Sequence, residues 1–328
     1  MGVGNKCVNK DKYFQKTIVL LTIFISIVCL LYLFMNIRKG NFEYSLSQRI
    51  PKLIAIVLTG ALISFSTILF QTITNNRLLT PNVMGLDSFY VLIQTVIVYV
   101  FGSTHIFISN KKINFMICIV MMVLISTVLY STLMKKNRTN IILIVLVGVI
   151  LGTLFGSLSK FMQIMIDPNE YLTLQNKLFA SFNNINENIL VISVIMIVIT
   201  LIFTFKDFKY LDVMSLGRDH AINLGVEYDR LTKKFFIVVS ILISISTALV
   251  GPITFLGLLV VNATKQIVKS YKHSHIVAIG NLLSVFVLLF GQLLLERVLK
   301  ISTPVSVIIN LIGGIYFMYL LLRESKVC

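Results

Sequence analysis

The acids, histidines and cysteines of this chain are too few and too scattered to build a catalytic centre. Thirteen Asp and Glu, four His and four Cys are spread over 328 residues. His273 and His275 stand two apart, so they do not share a helix face, and His105 and His220 fall near loops or span ends. Cys7, Cys29, Cys118 and Cys328 show no metal-ligand spacing and read as small buried hydrophobes or inert thiols. No G-x-x-x-x-G-K-[ST] run is present to cradle nucleotide phosphates, and no H-E-x-x-H points to a metalloenzyme. Asp87 is the clearest carboxylate in an apolar stretch, and its place near the start of that stretch reads as a solvated terminus or helix cap. Proton- or sodium-coupled carriers usually place ionisable groups at mid-membrane. Their near absence predicts a pathway without enzymatic chemistry, cofactor or energy source of its own, and so an energising partner.

Such a pathway needs apolar elements to hold it. The chain is 57% hydrophobic and 13% charged, with a mean hydropathy of +0.91. Only lipid can solvate that much apolar surface. Uncharged runs recur at 17–35, 53–74, 88–110, 113–134, 139–159, 188–205, 235–264, 276–295 and 301–322. None shows the ~10-residue alternating stretches of an outer-membrane barrel. A span needs about 20 apolar residues, so the run 235–264 is too long for one. Gly251-Pro252 interrupts it: Pro lacks an amide donor, and Gly permits unusual backbone angles. The break predicts helices over 235–250 and 255–264, the second too short to cross alone. Irregular backbone at membrane depth is tolerated only where protein or a water-filled cavity covers it, which marks a transport pathway. The expected fold is all-α, a single polytopic membrane domain over residues 1–328 with about ten helical segments.

Basic residues favour cytoplasmic loops. With the N-terminus inside, nineteen of the twenty-nine Lys and Arg fall on inner segments and ten on outer ones. Both termini are therefore expected in the cytoplasm. The net charge of +16 is spread over short loops, so it reads as topology signals and contacts with anionic lipid, not as a nucleic-acid surface. No small-residue cleavage site follows the first apolar run, which predicts an uncleaved span.

Three groups of residues look like working parts. The stretch 206–234 mixes both signs of charge and sets Gly217 and Gly225 eight apart. Between them, residues 218–224 are long enough for about two helical turns, with Ala221 and Leu224 at i, i+3 on one face. A short amphipathic helix between glycines can seat in a partner's groove; an ordinary surface loop is the other reading. Gly148, Gly152 and Gly156 form a ridge of small residues that lets helices approach closely, whether for packing alone or also along a pathway or subunit interface. Arg49 and Lys52 before the second span, and Arg297 after the ninth, are either interfacial anchors or receivers for a partner's carboxylates.

Four stretches go further. Residues 49–52 read RIPK, residues 71–88 read QTITNNRLLTPNVMGLDS, residues 211–225 carry a spaced L-G-x-x-x-A-x-x-L-G pattern, and GPITFLGLLVVN begins at Gly251. In order and spacing they resemble the iron-siderophore and vitamin B12 permease family of bacterial ABC importers, from the second span to the C-terminus. Arg77 stands where that family usually has Pro, Val261-Asn262 replace Pro-His, and Lys52 replaces an Arg. Lys keeps the charge but loses the bidentate fork that suits carboxylates. These departures look most like the branch serving ferric catechol or mixed-carboxylate siderophores.

The resemblance implies a vitamin B12 permease-like fold of ten helices in a bacterial cytoplasmic membrane. It also implies a second permease subunit, two cytoplasmic ATPase subunits and an extracytoplasmic siderophore-binding protein. Asp212, Ser215, Leu216, Gly217, Ala221, Leu224 and Gly225 match the loop that enters the ATPase groove. Arg49, Lys52 and Arg297 match cations that receive acidic residues of the binding protein, and the Gly148–Gly156 ridge matches a pathway-lining span at the permease interface. The expected cargo is a ferric siderophore. The same machinery carrying haem or a cobalamin, and a secondary carrier that needs no ATPase, are the alternatives.

Overall fold

The structure is a computed structural model and describes residues 2–35, 42–136, 141–183, 185–268, 270–299 and 304–324. Every regular element among the described residues is helical. The long helices are α1 (Gly2–Phe34), α2 (Phe42–Ile73), α3 (Asp87–Phe101), α4 (Lys111–Lys136), α5 (Ile141–Ile164), α6 (Pro168–Leu178), α7 (Glu187–Phe205), α8 (Tyr228–Val250), α9 (Leu256–Ile267), α10 (His273–Leu293) and α11 (Val305–Glu324). Eight helical stretches among the described residues are long and apolar enough to cross a membrane. The apolar helices α9 and α11 complete the expected ten.

Packing sorts the helices into inner and outer members. In α2, 72% of the most apolar window is buried, against 11% in α1. The reason lies in side-chain size. Thr59, Gly60, Ser64 and Thr67 keep one side of α2 slim and buried, so α8, α9 and α10 pack against it. A Cβ at Gly60 would come 3.1 Å from the backbone nitrogen of Val285 on α10. Helices in lipid have no hydrophobic drive toward one another, so close contact between small residues is what associates them. The outward faces of α1, α5 and α7 keep large side chains exposed, Leu30, Ile150, Leu154 and Ile199 among them.

Two spans are interrupted. The helix α8 ends at Val250, with Gly251 closing its last turn on the Thr247 carbonyl, residues 252–255 run irregularly, and α9 begins at Leu256. At 12 residues, α9 is about 18 Å long, short of a ~30 Å crossing on its own. The second interruption precedes α3. After α2, an irregular stretch leads into a kinked turn, Asn82–Leu86, in which Gly85 has a φ of +90°. The 15 residues of α3 then cover only about 22 Å.

Candidate functional site at two interrupted spans

The two interruptions meet. Asn82 Nδ2 donates to the Ile253 carbonyl at 2.9 Å, and Thr254 Oγ1 donates to Asp87 Oδ2 at 2.8 Å. Each irregular segment thus satisfies polar groups of the other, which lipid could not do. Gly251 (φ +111°) makes the approach possible, since a Cβ there would lie 2.7 Å from Ala180 Cα. Ser181 N donates to the Val250 carbonyl at 2.9 Å, so the loop after α6 closes the end of α8. Asp87 differs from its reading as a cap or solvated terminus. The kinked turn runs into α3 through Leu86, which offers no side-chain cap, and the Asp87 carboxylate is turned toward Thr254. The sequence could not reveal this pairing across 167 residues.

Beside the junction lies a cavity of about 650 Å³ lined by Asn82, Asp87, Ser88, Pro252, Thr254 and Asn310, with Gly152 and Gly156 of α5 opposite. The glycine ridge divides in two. Gly148 and Gly152 press on Met84 and Gly85 of the kinked turn, whereas Gly156 has only Ser88 Oγ within reach, at 3.8 Å. Discontinuous helices meeting around a cavity are a usual construction of a transport site, and this one is mostly apolar with a few polar groups.

Toward the start of α2, Arg49, Lys52 and Arg297 come together as the sequence grouped them. Lys52 and Arg297 share one partner, Glu296. Lys52 Nζ lies 3.6 Å and Arg297 Nη2 3.4 Å from Glu296 Oε1, while Tyr32 Oη and Gln292 Nε2 donate to Oε2. Arg49 is buried, and its Nη1 donates to the carbonyls of Tyr32, Leu33 and Met35 at the end of α1. Cations belong at a helix C-terminus, where carbonyls lack partners. In this conformation Arg49 is therefore an internal clamp, while Lys52 and Arg297 are half-buried cations that share Glu296.

At the opposite end of α2, two short helices, Leu211–Met214 and Arg218–Asn223, form the loop between α7 and α8. Gly217 (φ +98°) and Gly225 (φ +81°) bracket the second one. Arg218 makes a two-pronged pair with Asp229, at 3.2 and 3.1 Å, and this hydrogen-bonded carboxylate raises its pKa. Ser215 Oγ donates to the Asp212 carbonyl. Asp212 Oδ1 accepts from both the backbone nitrogen and Nδ1 of His273, at 2.7 and 2.6 Å. His273 Nε2 in turn lies 2.9 Å from Thr72 Oγ1 on α2.

The shared face expected for Ala221 and Leu224 is absent. Ala221 is fully buried in one core cluster with Leu211 and Met214. Leu224 is 64% exposed; its N–H still closes the last helical turn on the His220 carbonyl, but its side chain lies off the buried face that Ala221 occupies. Leu216, Ile222 and Leu224 form the exposed apolar surface of this loop.

Residues 17–323 match the FecCD transport family. The petrobactin import system permease protein YclO of Bacillus subtilis (strain 168) is 53% identical over 303 residues, covering 92% of this chain and 96% of that protein. The petrobactin import system permease protein FatC of Bacillus anthracis is 36% identical, covering 88% and 81%. Among solved structures, an inward-facing conformation of a putative metal-chelate type ABC transporter superposes with a TM-score of 0.79 at 21% identity, covering 94% of this chain and 99% of that one, and shares the fold. With its interrupted spans and nearly full-length match, the chain belongs to the FecCD transport family.

Proposed function

We propose that this chain is the permease subunit of an ABC importer that moves a ferric siderophore into the cytoplasm. The observation that carries the reading is the cavity at the hydrogen-bonded junction of two interrupted spans, in a chain 53% identical to a petrobactin import permease. The chain is a multi-pass membrane protein, and its family is one of transport permeases that work with ATPase and substrate-binding partners.

In this reading the chain lies in a bacterial cytoplasmic membrane with both termini inside. The distribution of Lys and Arg supports that orientation. The loop 211–225 then faces the cytoplasm and presents Leu216, Ile222 and Leu224 to an ATPase, while Lys52 and Arg297 face the siderophore-binding protein. A second permease subunit completes the path beside α5. Covalent chemistry is assigned to the ATPase alone. ATP binding and hydrolysis there shift the permease between outward- and inward-open states, which requires contacts that differ between the two.

The test is uptake of radioiron-labelled ferric petrobactin into proteoliposomes holding the permease pair and ATPase, with loaded binding protein outside. Uptake should require ATP inside the vesicle compartment that holds the ATPase. Uptake driven by an ion gradient without ATP would replace this reading with the secondary carrier. Uptake restricted to haem or a cobalamin would change the cargo.

A further inference from the structure

The cavity beside the junction carries its charge on one side. Gly152, Gly156, Lys160 and Gln163 of α5 all line it, and their spacing of four, four and three residues makes them one stripe on one helix face. Lys160 is exposed and is the one cation among the described residues of that wall. No carboxylate among the described residues pairs with it. The one carboxylate of the wall, Asp87, is turned away from the space: its Oδ1 is buried, and its Oδ2 holds the Thr254 hydroxyl. Gln163 Nε2 donates to Thr95 Oγ1 of α3 at 3.1 Å, which fixes the α5 face about one turn beyond Lys160. The accessible charge of the cavity is therefore a single ammonium near the Ile164 end of α5.

We propose that Lys160 is a specificity-determining residue that draws a net-negative ferric chelate into this cavity. The inference rests on the importer reading above, which puts the Ile164 end of α5 on the outer side, where cargo enters. A lone charge in a mostly apolar cleft acts over a distance, because low-dielectric walls focus its field. An ammonium offers three donors and no acceptor, and ionised oxygens are its strongest partners. Gly152 and Gly156 keep the wall beside it slim, which leaves room for a bulky chelate. Ser88 and Asn310 add neutral polar groups to the same wall. A cationic chelate meets repulsion at the entrance, and a neutral one gains little from Lys160. One unpaired lysine also holds cargo weakly, which suits a path that cargo must leave again.

A lysine that only snorkels to the interface would be exposed in the same way, so the test reads charge selectivity and not uptake alone. ATP-driven uptake into proteoliposomes is compared for the wild-type complex, Lys160→Gln and Lys160→Arg. The probes are a ferric siderophore bearing an ionised carboxylate and its methyl amide, each preloaded on the binding protein. The wild type should import the carboxylate probe faster. Lys160→Gln should lower the ratio of the two rates about tenfold, and Lys160→Arg should keep it. An unchanged ratio in Lys160→Gln with both rates intact would make Lys160 an interfacial anchor. An unchanged ratio with both rates reduced would make it a packing or subunit-contact residue. Either result overturns the proposal, as does a wild type that imports the amide at least as fast. If Lys160→Gln does not assemble, Lys160→Met is judged by the same ratio. A wild-type complex that imports neither probe with ATP would overturn the importer reading, and this inference with it.

Discussion

Gly85 and Gly152 meet backbone to backbone. A Cβ on Gly85 would lie 2.6 Å from Gly152 Cα, and one on Gly152 would lie 2.7 Å from Gly85 Cα. This contact seats the kinked turn on α5 and holds Asn82 and Asp87 beside the cavity. Gly152→Ala should push the turn away and cost about 1–3 kcal/mol in overpacking, with a lower melting temperature in detergent and reduced uptake. Gly156→Ala meets only Ser88 Oγ at 3.8 Å and should melt like the wild type. Equal melting of the two variants would show that the contact does not support the turn.

The cation cluster separates into a structural and a docking part. Arg49 is spent on the carbonyls that end α1, so Arg49→Ala should lower thermal stability through unpaired buried acceptors, by about 1–3 kcal/mol. Lys52 and Arg297 share one carboxylate, Glu296, which leaves a net positive site. Both pairs are half-buried, but the excess charge still steers encounter and fixes register. Lys52→Glu with Arg297→Glu should therefore slow association with the binding protein at low salt and have little effect at high salt. Association unchanged at low salt would reduce both residues to interfacial anchors.

The sequence showed the elements but not how they join. Lipid forces each span to be an uncharged run, so the helices were visible one by one, and Gly251-Pro252 marked its break through backbone chemistry alone. The interruption before α3 was hidden, because the stretch around Pro81 and Gly85 has the composition of an ordinary loop. Its depth follows only from pairing with Ile253, 171 residues away. Arg49, Lys52 and Arg297 lie near one end of α2, but Arg49 is buried on the carbonyls that end α1, a burial that depends on where α1 ends. The spacing i, i+3 puts Ala221 and Leu224 on neighbouring positions of one short helix, but only packing decides that Ala221 is buried and Leu224 exposed.

That difference in burial changes which substitution tests the coupling loop. Ala221→Asp would bury a charge beside Leu211 and Met214, costing several kcal/mol without a partner, so the level of folded protein should fall. Leu224→Asp changes an exposed position and should leave folding intact while weakening ATPase binding. Co-purification of the ATPase with each variant, set against its yield in the membrane fraction, separates the two effects. Normal ATPase capture and uptake by Leu224→Asp would remove this surface from the ATPase contact.

His273 joins the coupling loop to the membrane helices. One ring nitrogen meets Asp212 of the loop, and the other meets Thr72 near the end of α2. A push on the loop therefore reaches α2 and α10 through one buried side chain. His273→Ala removes both bonds and leaves Asp212 without its ring partner. The ATPase should still bind, since Leu216, Ile222 and Leu224 are untouched, but loaded binding protein should no longer raise the rate of ATP hydrolysis. His220→Ala is the control: His220 lies in the same loop but is exposed, and its loss should leave stimulation intact. ATPase activity measured with and without loaded binding protein decides the matter. Full stimulation in the His273→Ala complex would show that the loop acts on the helices through its packed core of Leu211, Met214 and Ala221 instead.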